Sequence, residues 1–182
     1  MARLASIVGI CLVTFGYSKC VFVSDTGGTT ALIAGGDGMA SGTARFTTTL
    51  LLRDSTGLAT TNFRFGEPIN FELDVQNRTA QTVTLTFPDA QIYEFVVLDA
   101  PTGRVRWRWS EGKAFAQVVT QLDFAPYSSK TYTVVWNGVL SNGTQLMPGD
   151  YRARGALVFA AFASDPLAPS DMASPVVDFS VR

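Results

Sequence analysis

The stretch that decides the fold lies between Tyr93 and Gln117 and reads YEFVVLDAPTGRVRWRWSEGKAFAQ. Two apolar runs flank a Pro-Thr-Gly turn. In the second run apolar residues alternate with arginines, so the strand is predicted to place Val105, Trp107 and Trp109 on one face. A period of two is typical of a strand that has one face in a core and the other in water.

The two faces of this strand invite different interpretations. Indole rings at Trp107 and Trp109 bury a large area, so we expect this face to lie in the core rather than to form a stacking platform for a ligand. The opposite face is predicted to be an exposed basic stripe of Arg104, Arg106 and Arg108. Such a stripe fits a solvated strand face better than a nucleic-acid site, because no exposed aromatics are interleaved with the arginines.

Short alternating segments continue through the rest of the chain, separated by Gly, Pro and Asn turns. A helical period is nowhere sustained long enough to predict a helix. The pattern predicts an all-β fold, an antiparallel immunoglobulin-like β-sandwich of about eight or nine strands, with a closed barrel as the open alternative. The predicted strands lie at 46–52, 69–75, 83–87, 92–98, 104–109, 115–124, 131–136, 151–159 and 176–181.

Composition limits the chemistry that the chain can perform. The sequence contains no histidine among 182 residues, which excludes Ser-His-Asp and Cys-His catalysis and histidine metal sites. No carboxylates show the spacing of a calcium loop or a glycosidase pair. A formal net charge of −1 gives no field that would attract nucleic acid. We therefore predict no catalytic, cofactor or metal site.

The N-terminal residues are typical of an export signal. Arg3 is basic, and Leu4 to Phe15 is an apolar run of h-region length that is too short to span a bilayer. We predict a leader at 1–19, a Gly/Ser/Thr-rich flexible tether at 20–42 and a single domain at 43–182. The expected location is outside the cytoplasm: the periplasm, the cell envelope or the medium.

Cys20 leaves two interpretations open. It could be lipidated after cleavage, as in bacterial lipoproteins, which would give the chain its only expected contact with a membrane. It could equally be a spare thiol beyond an ordinary cleavage site, since Lys19 is a poor residue before a lipidated cysteine. Removal of the leader would take away Cys11, so no internal disulfide is expected.

Several ordered motifs resemble the BsuPI domain, the bacterial intracellular proteinase inhibitor family, over roughly 65–159. Tyr93-Glu94-Phe95-Val96-Val97, followed by Asp99 and Gly103, resembles the family's Tyr-Glu-Phe-x-Val-x-Asp-x-x-Gly with one more residue before the glycine, and Trp107 and Trp109 stand in the tryptophan-bearing region. A Gly-x-x-Phe-x-Gln pattern follows from Gly112, and the closing segment carries a Pro-Gly-x-Tyr sequence at 148–151. The chain departs from the family at 126–127, where Pro-Tyr stands in place of the usual Pro-Gly.

The resemblance implies a protein that binds and inhibits a protease, serine-type and subtilisin-like by analogy. Such an inhibitor needs a rigid loop that enters the protease cleft, and the candidate partner-binding loop comprises Ser110, Glu111, Gly112 and Lys113. A second candidate loop is 138–148. The alternative function is a structural or protein-interaction module of the bacterial cell envelope that has no protease target. Exposed apolar residues around the turn would favour inhibition.

Overall fold

The computed structural model describes residues 9–14, 17–22 and 44–182, and contacts divide the chain into two units, Met1–Gly42 and Thr43–Arg182. In the first unit, β1 (Gly9–Thr14) pairs antiparallel with β2 (Tyr17–Phe22), and the register places Cys11 opposite Cys20. Only positions 20–22 of the predicted tether are described; the remainder of it lies outside the described residues.

In the second unit the regular secondary structure is β-strand, apart from one five-residue helix. Nine strands coincide with predicted segments, and a two-residue strand adds to them. The elements are β3 (Phe46–Arg53), β4 (Asn62–Phe63), β5 (Ile69–Asn77), β6 (Val83–Phe87), β7 (Tyr93–Asp99), β8 (Val105–Arg108), β9 (Thr120–Phe124), β10 (Ser129–Trp136), β11 (Gly149–Leu157), α1 (Ala160–Ser164) and β12 (Val177–Val181).

These strands form the predicted sandwich. A five-stranded sheet has the order β4-β12-β11-β7-β8, a three-stranded sheet has the order β10-β5-β3, and β6 pairs with β9. Within this unit, the pairings between named strands are antiparallel except for β12 with β4. The all-β prediction is confirmed, and no helix in the described part of the chain is long and apolar enough to cross a membrane.

The main core lies between the three- and five-stranded sheets. Alternate residues of β5 are buried completely or nearly so, as its period of two requires. Phe71 at its centre lies 5.5 Å from Phe95, 5.6 Å from Trp107 and 6.3 Å from Trp136, measured between ring centroids. Trp107 stacks on Trp136 at 4.6 Å. The inward placement of the tryptophans is thus confirmed.

The prediction for Val105 is wrong, because a bulge interrupts the alternation of β8. Trp107 pairs with Val97, but Val105 pairs with Leu98, so one extra residue of β8 lies between the two pairs. The bulge places Val105 on the other face, and its side chain is 40% exposed.

The same strand breaks the predicted basic stripe. Arg104 and Arg106 are exposed, but Arg108 is half-buried and donates a hydrogen bond from Nη2 to the Ala163 carbonyl at 3.4 Å. The prediction of three equally exposed arginines is therefore wrong for Arg108, because α1 covers this part of the sheet.

The strand predicted at 115–124 is also shorter than expected, since only Thr120–Phe124 pairs with a neighbour. The residues before it are held by other contacts. The Phe115 ring packs 5.7 Å from the Trp109 ring, and the Ala116 carbonyl accepts the Ala90 N–H at 3.0 Å. These contacts fix the segment against the β8 turn rather than in a sheet.

Tyr127 occupies the position where the resembling family usually carries glycine, and it adopts a φ of 55°. This left-handed conformation is unfavourable for a residue with a Cβ. The Tyr127 side chain is 63% exposed, so its removal would lose few packing contacts.

We expect Tyr127→Gly to raise the free energy of unfolding by about 0.5–1 kcal/mol, the conformational strain relieved less the extra chain entropy of glycine. Urea denaturation monitored by tryptophan fluorescence measures the change. Tyr127→Ala is the matched control and should bring no such gain, because alanine keeps the Cβ. Equal gains from both substitutions would contradict the strain argument.

Candidate functional site

The turn after β8 contains the predicted partner-binding residues, and it is anchored at its first residue. Ser110 is half-buried, and its hydroxyl donates a hydrogen bond to the carboxylate of Glu94. The Ser110 N–H donates to Oε1 of the same carboxylate at 3.1 Å. The Lys113 N–H then closes the turn onto the Ser110 carbonyl at 3.0 Å, and Gly112 adopts a φ of 76° that suits glycine.

Glu94 has a role that its position in the sequence did not reveal. It is only 5% exposed, and it also accepts the Phe95 N–H at 3.0 Å and Gln91 Nε2 at 3.3 Å. Within the described residues, Glu94 forms no ion pair with an arginine of β8 and binds the turn instead. A buried carboxylate needs such donors, because an unpaired one would cost free energy.

The tip of the turn is exposed at Glu111, Gly112 and Lys113. Lys113 places its Nζ 5.0 Å from the centroid of the Trp109 ring, within the range of a cation–π contact. The basic side chain is therefore positioned over an aromatic ring rather than extended into solvent.

An exposed apolar pair follows the turn. Val118 is 55% exposed and Val119 is 66% exposed, and neither belongs to a strand. The sequence predicted a strand here because valine is common in strands. We call residues 110–119 the anchored segment: a fixed turn, an aromatic contact at Phe115 and an apolar end.

An aromatic cluster packs against the anchored segment through Trp109. The Tyr93 ring lies 4.4 Å from Trp109 and 4.9 Å from Tyr132. Burial, with a smaller contribution from the nearby Tyr93 hydroxyl, raises the pKa of Tyr132 from 10.0 to about 12. The Tyr132 hydroxyl is buried and has no hydrogen-bond partner in the described part of the chain.

We expect Tyr132→Phe to raise the free energy of unfolding by about 1 kcal/mol, because it removes a buried hydroxyl that has no partner. The raised pKa also predicts a pH dependence. The folded state holds the Tyr132 proton more tightly than the unfolded state. The contribution of this proton to the free energy of unfolding is therefore complete below pH 10.0 and is lost as the pH rises through about 12.

Urea denaturation at neutral pH and between pH 10 and 12 measures both effects. The variant should lose less stability over the alkaline interval than the unchanged chain. A loss of stability at neutral pH would indicate that the hydroxyl is satisfied by a group such as water.

The second candidate loop, 138–148, is also held to the sandwich. Trp136 Nε1 donates to the Val139 carbonyl at 2.8 Å, and the N–H of buried Leu146 donates to the Gly138 carbonyl at 2.7 Å. Its tip, 141–144, is exposed and polar, and Met147 is exposed beside it. This loop is anchored, but its tip offers no apolar pair.

Asp99 and Cys20 are two further residues that the sequence singled out. Asp99 caps its turn, accepting the Thr102 N–H at 3.1 Å and the Thr102 hydroxyl, and these hydrogen bonds, the hydroxyl first, lower its pKa. Cys20 lies on β2, where only the backbone is described. Within the described residues, no group of three or more His, Cys, Asp or Glu residues is placed to hold a metal ion.

Comparison with solved structures gives weak likenesses. A CARDB domain from Pyrococcus furiosus has a TM-score of 0.38 at 14% identity, covering 76% of this chain and 97% of that one. The C-terminal domain of wzt has a TM-score of 0.46 at 9% identity, covering 78% and 75%. The alkylpurine DNA glycosylase AlkC from Pseudomonas fluorescens has a TM-score of 0.44 at 9% identity, covering 79% and 32%.

No curated protein sequence matches the chain at a significant level. A family model does match, over residues 58–162, and its description is "BsuPI: Intracellular proteinase inhibitor". This range contains the whole anchored segment, its support at Glu94 and the second loop. Because it covers more than half of the sequence, the chain belongs to the BsuPI family of intracellular proteinase inhibitors.

Proposed function

We propose that this chain is a non-catalytic binding protein that blocks a serine protease of the subtilisin class by placing the anchored segment in its cleft. The observation that carries the proposal is the combination of a fixed turn with the exposed valines Val118 and Val119. Membership of an inhibitor family supports a protein partner.

Rigidity is the first property that an inhibitory loop needs. Binding costs free energy when a loop must be ordered, so a loop that is ordered beforehand binds more tightly. The hydrogen bonds from Ser110 to Glu94 supply this order without a disulfide, and they tie the turn to β7, an interior strand of the five-stranded sheet. The same order would slow cleavage, because a fixed loop resists the changes that hydrolysis requires.

Apolar exposure is the second property. Protease clefts bind side chains in pockets, and hydrophobic pockets accept aliphatic groups. Val118 and Val119 present such groups at the C-terminal end of the anchored segment. The mechanism is occlusion and not chemistry, since the chain lacks the histidine that serine and cysteine nucleophiles commonly use as a base.

The test is an inhibition assay with the purified protein against a panel of serine proteases that includes subtilisin. We expect near-stoichiometric slowing of small-peptide hydrolysis by at least one subtilisin-type member, with the inhibitor recovered intact by mass spectrometry. Full protease rates at excess protein, or complete digestion of the chain, would contradict the proposal. The alternative function, a structural or protein-interaction module of the cell envelope, would then be favoured.

The proposed location is outside the cytoplasm. Leu4 to Phe15 forms the apolar run that motivates it. In that case the physiological protease would also lie outside the cytoplasm, unlike the intracellular setting in the family description.

We expect the mature protein from its host to lack Leu4 to Phe15, because the leader is removed during export. Mass spectrometry of the mature N-terminus measures this directly. Palmitate labelling that disappears in Cys20→Ser would establish the lipidated form. An intact Met1 on cytosolic protein would contradict export.

A further inference from the structure

A cavity of about 540 Å³ lies on the face of the five-stranded sheet that is turned away from the main core. Two arginines of β11 reach it, because Arg152 and Arg154 are two residues apart and share a face, whereas Ala153 between them is buried in the core. The lining residues are Arg152, Arg154, Leu167, Pro169, Val176 and Asp178.

Arg154 is a buried cation held only by neutral groups. It is 6% exposed, its Nε donates to the Ser174 carbonyl at 2.8 Å and its Nη1 donates to the Pro166 carbonyl at 2.7 Å. Phe162 lies 5.8 Å from its guanidinium carbon. A guanidinium carries five N–H donors, and Nη2 has no hydrogen-bond partner within 44–182.

The charges around Arg154 do not balance. Within 44–182 no carboxylate forms an ion pair with it; Asp165 acts on it only at longer range and accepts the Leu167 N–H at 2.9 Å. Asp178 is paired with Arg152 at 3.2 Å. Burial lowers the pKa of Arg154, which reflects the cost of holding a cation away from water. Two cations and one carboxylate therefore line the cavity.

An apolar wall faces these cations. Leu167 is 41% exposed and Val176 is 39% exposed, and Pro169 lies with them in the lining. A site that joins a guanidinium with unused donors to aliphatic surface has the chemistry to recognise a carboxylate attached to an aliphatic group.

We propose that this cavity binds a carboxylate carried on a short aliphatic group, with the Nη2 of Arg154 donating to the carboxylate and the wall covering the aliphatic part. A peptide C-terminus and a free branched-chain acid share this chemistry. The site uses none of residues 110–119, so it stands independently of protease inhibition.

The test is titration of the isotope-labelled full chain with N-acetyl-leucine, followed by the amide resonances of Arg152 and Arg154. We expect saturable shifts at millimolar ligand. N-acetyl-leucinamide, which lacks the charge, should bind at least about tenfold more weakly, since a charge-assisted hydrogen bond is lost. N-acetylglycine, which lacks the aliphatic group, should also bind more weakly. A peptide ending in leucine and isovalerate distinguish the two sources of the carboxylate.

Two substitutions complete the test. Arg154→Gln should abolish the shifts, but it also removes buried hydrogen bonds and can unfold the chain. Leu167→Glu adds a carboxylate to the exposed rim without disturbing the core, and it should weaken binding at least about tenfold by repulsion. Exposed Arg64→Gln is the control and should bind normally. Unsaturable shifts, equal binding of acid and amide, or unchanged affinity in Leu167→Glu would each overturn the proposal.

Discussion

Trp107→Ala is expected to lower the free energy of unfolding by about 3 kcal/mol, near the lower limit for truncation of a buried aromatic residue. Trp107 is half-buried, and its indole stacks on Trp136 at 4.6 Å and packs 5.6 Å from Phe71. Its removal would open a void between the two sheets. Urea denaturation followed by circular dichroism measures the change without relying on the fluorescence of the substituted residue.

Arg106→Ala is the matched control on the same strand. Arg106 is exposed and forms no ion pair among the described residues, so we expect its substitution to change stability by less than about 0.5 kcal/mol. If Trp107→Ala leaves the free energy of unfolding unchanged and Arg106→Ala lowers it strongly, the assignment of the two faces of β8 is wrong.

Replacement of Glu111 and Lys113 by serine, with Gly112 kept at its φ of 76°, is expected to weaken protease binding by about thirtyfold, equivalent to a contact residue worth about 2 kcal/mol. The replacement removes the charged side chains of the exposed tip and the Lys113–Trp109 contact but leaves the Ser110–Glu94 hydrogen bonds in place. The sandwich should remain folded, because turn tips tolerate such changes. Inhibition constants for subtilisin, with melting curves for both proteins, measure the two effects.

The matched control is Ser141→Gly combined with Asn142→Ser at the tip of the second loop, which keeps Gly143 at its φ of 80°. If the anchored segment enters the cleft, this variant should inhibit like the unchanged protein. Strong loss of inhibition from this second-loop replacement alone would assign the binding surface to the second loop. Val118→Asp combined with Val119→Asp tests the apolar end separately and should also weaken binding.

Alternating apolar residues predicted the strands of the sandwich well, because a half-buried strand must repeat every two residues. The β8 bulge was not predictable, because Val105 and Trp107 keep their spacing in the sequence while the pairing partner changes register. The five-residue helix α1 was missed for a related reason: it is too short for a helical period to become visible.

The candidate site was predicted in part. The residue types at 111–113 predicted an exposed turn, but they did not predict that the Glu94 carboxylate would hold it. A lone acid within the buried run of β7 was a usable signal, since a buried carboxylate needs partners, yet the partner of Glu94 lay 16 residues away in a turn. The exposure of Val118 and Val119 depends on where pairing with β6 begins, and no residue type marks that point.

Cleft occlusion by the anchored segment is the central claim, and binding to a blocked protease tests it most directly. Subtilisin is prepared in an active form and in a form whose catalytic serine carries a peptidyl group that fills the cleft. Calorimetry with the full chain then compares the two forms. We expect tight, near-stoichiometric binding of the chain to the active enzyme and a large loss of affinity for the blocked enzyme. Equal affinity for both forms, or no binding to either, would contradict it.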